Sequence, residues 1–212
     1  MIEEISKLLL FFILSIVYFY SVTGFGKIIS NKNSNFFDLQ IDGTIVLLII
    51  GYGIYLTVGI NIFLNSLIFV TGLILFFLYN KKTFILKFNF VFLLFFSLFT
   101  IILISKTHED FNSYHFFSIF ELFDNALRIG VTKLNQRFVH SSHLALNQAL
   151  TVLPYIDFKI IHLPVFIIYL STVGYFLKNT FSKNLKNNEL FFSILCVLIL
   201  VIKFNRLSEF GY

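Results

Sequence analysis

The sequence predicts an all-α protein, a polytopic transmembrane helix bundle of about six spans with an outward-facing amphipathic interfacial helix in one large loop. Three observations predict it. First, only 13% of the 212 residues are charged and 58% are hydrophobic, whereas a soluble domain carries about 25% charged residues. Second, apolar runs near the roughly 20 residues that cross hydrocarbon recur along the chain. Third, the densest polar cluster, residues 106–143, has span-length apolar runs on both sides. Hydrocarbon offers backbone polar groups no partner but each other, so each run is expected as a helix. The 31 phenylalanines also fit AT-rich coding, and carry little functional weight.

The first run, Leu8 to Gly26, reads as a retained span. Glu3 and Glu4 stand where a signal peptide has basic residues, and no small-x-small cleavage site follows. Residues 31–35, rich in Asn and Ser, read as a loop. Thr44 to Tyr79 carries no charge and is long enough for two spans. Their break is expected near Gly59 to Asn65, with Asn61 and Asn65 at the membrane interface. Phe88 to Ser105 is a fourth span. Ile160 to Leu177 is a fifth, with Pro164 near its start. Leu190 to Ile202 is a shorter sixth, extended if Lys203 snorkels. The chain thus divides into four spans over 1–105, an extracytoplasmic loop over 106–159 and two further spans over 160–212. No internal repeat is visible.

Basic residues in short loops set the orientation. Lys27 and Lys32, then Lys81, Lys82 and Lys87, then Lys178, Lys183 and Lys186 all fall on one side of a six-span topology. That side is expected to be cytoplasmic, which turns Glu3, Glu4, the 61–65 hairpin and the polar loop outward. The net charge of +5 therefore reads as topology, and nothing in the pattern suggests nucleic-acid binding. A cysteine replacing Ser113 should react with a membrane-impermeant maleimide on intact cells; labelling only after lysis overturns the orientation. The single cysteine, Cys196, lies in an apolar run, so neither a disulfide within the chain nor a cysteine metal site is available.

The polar loop concentrates the chemistry. It holds four of the five histidines (His108, His115, His140, His143) and the acids Glu109, Asp110, Glu121 and Asp124. Each charge costs roughly 2.5 kcal/mol or more inside a bilayer, so the loop must lie outside the hydrocarbon. At 100° per residue, Asp110, Tyr114, Ser118, Glu121, Asp124 and Asn125 share one face of a helix over 110–127. Phe111, Phe116, Ile119, Phe120, Leu122 and Phe123 share the other. Phe117 breaks the polar face, and His115 sits at the edge of the apolar one. Such a helix lies flat on a membrane, aromatic side down, and is expected to end over 125–130 with Gly130 as its cap.

Glu109 and Asp110 stand at its start, where the helix dipole favours carboxylates in any case; a carboxylate aimed into a crevice there is also placed to act as general base. His108 and His115 with either carboxylate offer ligands for a divalent metal, although their spacing matches no strong metal signature. His140 and His143, around Ser141 and Ser142, read as interfacial polar residues, and neither serine sits in a nucleophile elbow. Arg128, Lys133 and Arg137 suit phosphate oxygens, from a ligand or from anionic head groups. Asn147 and Gln148 interrupt the apolar stretch Leu144 to Ile156, which reads as interfacial or re-entrant and ends at Pro154.

Several spans, an outward loop opening on an acidic residue, an amphipathic helix and further spans: this layout resembles the GT-C superfamily of integral membrane glycosyltransferases. More narrowly, "EDFNSYHFFSIFE", "RIGVTKLNQRF", "SSHLALNQALTVLP" and "RLSEFG" resemble a poorly characterised bacterial group with that layout. The resemblance covers about half the chain, from Glu109 onward, at Asp110, Tyr114, His115, Gly130, Asn135, Arg137, Ser141 and Ser142. The sequence departs from the pattern at Val131-Thr132-Lys133, where a smaller run is expected.

The resemblance implies a multi-pass protein of the bacterial inner (cytoplasmic) membrane. It implies transfer of a sugar, with inversion, from a polyprenyl-phosphate donor at the outer leaflet. Asp110 is then the expected base, with Glu109 second. Tyr114 and His115 orient that base or touch the donor, and Arg137 or Arg128 holds the phosphate. The resemblance assigns no cofactor. Such enzymes usually have ten or more spans, so six suggest an N-terminal piece, with a missing C-terminal half or a partner chain supplying the rest. The competing expectation is a non-enzymatic membrane protein, a transporter or assembly subunit. The near-absence of ionisable groups from the assigned spans, with only His162 near an end, speaks against an ion pathway.

Overall fold

A computed structural model describes residues 2–30, 36–79, 116–123, 143–154, 161–181 and 186–206. These are helical almost throughout, with no named strand among them. The helices are α1 (Ile2–Ile29), α2 (Phe36–Thr57), α3 (Ile62–Tyr79), α4 (Phe116–Leu122), α5 (His143–Ala149), α6 (Leu163–Thr180) and α7 (Asn187–Arg206). Three of them, α1 over Leu9–Ile29, α2 and α3, are long and apolar enough to cross a membrane. The chain is an all-helical membrane protein on that evidence. Helices α6 and α7 fall where the fifth and sixth spans were expected, and Pro164 sits in the first turn of α6, where its missing N–H costs no hydrogen bond. The expected fourth span, Phe88 to Ser105, lies outside the described residues.

The long helices stand in a row, with α1 between α3 and α2, then α6 against α2 and α7 against α6. Small residues set the spacing. A Cβ added at Gly24 of α1 would lie 1.9 Å from the Gly72 carbonyl oxygen of α3. One added at Gly43 of α2 would lie 1.9 Å from the Val22 carbonyl oxygen of α1. Helices in lipid gain little from burying apolar surface, so association rests on such close backbone approach and on polar links. Among the described residues, two such links hold α1 to its neighbours. Ser21 Oγ donates to the Phe69 carbonyl at 3.0 Å, joining α1 to α3. Gln40 Nε2 donates to the Phe19 carbonyl at 2.8 Å and to Thr23 Oγ1, joining α2 to α1. Outward, α3 presents Phe63 (74% exposed), Leu67, Val70, Ile74 and Phe77. An apolar surface of that extent suits lipid rather than water.

Helix α2 begins eight residues before Thr44, the expected start of the second span, and so takes in Asp38, Gln40 and Asp42. The charges had argued for a loop. Asp38 instead sits in the first turn, where the dipole favours it, and Gln40 is fully buried with partners on α1. The statement that the spans hold almost no ionisable group is corrected accordingly: α2 carries two half-buried carboxylates in its first two turns.

Candidate functional site

A group of buried polar residues, Asn65, Asn147, Gln148 and Thr151, lies around the turn from α2 to α3. Val58 and Gly59 both donate backbone N–H to the Ile54 carbonyl at 2.9 Å. Gly59 then reverses the chain at φ 88°, a conformation that side-chain-bearing residues rarely adopt. Ile60 follows, fully buried. Asn61 Oδ1 accepts the Leu64 N–H at 2.9 Å and caps the start of α3. The break between the second and third spans thus falls within the expected window.

Both flanks of the polar loop dock on this turn. Helix α4 buries Ile119 and Leu122, followed by buried Phe123, and Phe123 pairs with Ile60 in an isolated parallel bridge. Ser118 and Glu121, from the expected polar face, are half-buried. The described part of the amphipathic helix therefore turns its apolar side into the protein. It ends at Leu122, short of Asn125, because Phe123 leaves the helix to meet Ile60. Its N–H is shared between the Ile119 and Phe120 carbonyls at 3.1 Å.

On the far flank, α5 runs inward from the exposed His143, whose Nδ1 meets the Tyr52 hydroxyl of α2. The rings of that pair stand edge to face, 5.6 Å apart. Beyond His143, Ala145 through Thr151 are all buried. A helix end buried in this way needs partners for its last carbonyls. Asn65 supplies them from α3: its Nδ2 donates to the Ala149 carbonyl at 2.9 Å and to the Val152 carbonyl at 2.8 Å. Asn65 is 1% exposed, so its expected interfacial place is corrected to an interior one. The described part of Leu144 to Ile156 is thus buried in protein over Ala145 to Thr151. Pro154 is exposed in the turn that ends the described part of this segment.

No protein-family model matches the chain, and no curated protein and no solved structure matches it.

The six residues singled out in the sequence, Glu109, Asp110, Tyr114, His115, Arg128 and Arg137, all lie outside the described residues, as do His108 and His140. Their anchors do not: Phe116 to Phe123 on one side and His143 on the other are held at the same end of the bundle. Among the described residues no group of three His, Cys, Asp or Glu side chains is placed to hold a metal ion. Sequence reasoning missed Asn65 as a clamp and Gln40 as an interhelical link. The available signal was an amide isolated in an apolar run, which in lipid must find a hydrogen-bond partner on a neighbouring helix.

Proposed function

We propose that this chain is a GT-C-like glycosyltransferase, or part of one, that takes a sugar from a polyprenyl-phosphate donor at the outer face of a bacterial inner membrane. In this reading the protein crosses the bilayer about six times, and the 106–159 loop faces outward. Asp110 is the general base, with Glu109 the alternative. Arg128 or Arg137 neutralises the donor phosphate, and Tyr114 and His115 position the base or the donor.

The observation that carries the proposal is the shared docking of the loop's flanks. Phe123 rests on Ile60, and the segment after His143 is clamped by Asn65, so the described residues on either side of 124–142 meet the turn between α2 and α3. The basic return segment, with Arg128 and Arg137, starts and finishes at that one end. A lipid-linked phosphate needs such an arrangement, with its chain alongside the apolar helices and its head group at their rim.

One observation favours the competing reading of a transporter or assembly subunit. Asp38 and Asp42 lie four residues apart, hence on one face, in a helix with the composition of a span, where carboxylates commonly mark ion pathways. A single comparison separates the two readings. Sugar transfer from a polyprenyl-phosphate donor, assayed in membranes carrying the protein, should fall roughly 10²–10⁴-fold in Asp110→Asn, the worth of a general base that the amide cannot replace. Asp42→Asn should retain transfer. Full activity in Asp110→Asn sinks the assignment of the base, and no transfer above background by the wild type favours the transporter or assembly subunit.

A further inference from the structure

We draw no further inference here: the strongest candidate, the surface patch on α2 that joins Asp38 and Asp42 to the exposed Ile45, Ile49 and Leu56 at helical spacing, is an acidic pair beside an unpartnered apolar face, and nothing in the structure shows what covers it.

Discussion

Gly43→Ala is expected to destabilise the protein by about 3 kcal/mol, the upper part of the range for overpacked interiors, while Gly53→Ala on the same helix costs nothing measurable. The added methyl group at Gly43 would sit 1.9 Å from the Val22 carbonyl oxygen, with the carbonyl carbon 2.8 Å away. Backbone cannot swing aside as a flexible side chain can, so α1 and α2 must separate by roughly an ångström. Dispersion attraction falls off steeply over such a gap, and the loosening extends along the whole crossing. It also disturbs the Gln40 link to Phe19 and Thr23, one turn away on α2. At Gly53 nothing lies within 4 Å of the added carbon, and alanine is the better helix former by about 1 kcal/mol. Reversible unfolding in mixed micelles measures both variants. Equal stabilities for the two would refute close backbone packing as the basis of the α1–α2 crossing.

The second large effect is expected at Asn65→Leu. The substitution conserves size but leaves the Ala149 and Val152 carbonyls without the amide that serves both. The Ala149 carbonyl keeps the Val152 N–H at 3.3 Å, so the cost is that of the Val152 carbonyl losing its donor, about 1–3 kcal/mol. Interhelical hydrogen bonds in lipid often measure smaller, because an opened helix finds other partners. Here Val152 lies three residues beyond the end of α5, so no helical i+4 donor replaces Asn65 at its carbonyl. The loss should be local before it is global. Amide exchange over 143–154 should quicken while α1 and α2 remain protected. Ser66→Ala, which removes only a hydroxyl bonded within α3 to the Ile62 carbonyl, should behave as the wild type. An Asn65→Leu protein with unchanged exchange at α5 would show that the clamp contributes nothing.

The bundle was legible in the sequence wherever composition alone decides. The reversal at Gly59 was visible because Gly and Asn interrupt an otherwise uncharged run, and the start of α6 because Pro164 fits only a first turn. The start of α2 was misplaced for a definite reason. Asp38, Gln40 and Asp42 look like a loop to any test of polarity, but a helix can carry acids in its first turn, and a neighbour can satisfy an amide. The glycine contacts were hidden because a small residue declares its purpose only once its partner is known, as with Gly43 and Val22. The site was legible in part. The polar loop stood out by charge, but its anchoring did not: Asn65 meets Ala149 at a sequence separation of 84, and no local pattern announces a contact of that range.

That separation also has a consequence for biosynthesis. Asn65 precedes Val152 by 87 residues, and a ribosome adding about 5–20 residues per second needs roughly 5–15 s to deliver one after the other. For that interval α3 is already made, and its amide has no carbonyl of the later segment to hold. The nascent chain must shelter Asn65 in the meantime, against water at the insertion machinery or a temporary neighbour. Until α5 arrives, the half-made protein is a distinct species, with the amide of α3 that will later clamp α5 still waiting.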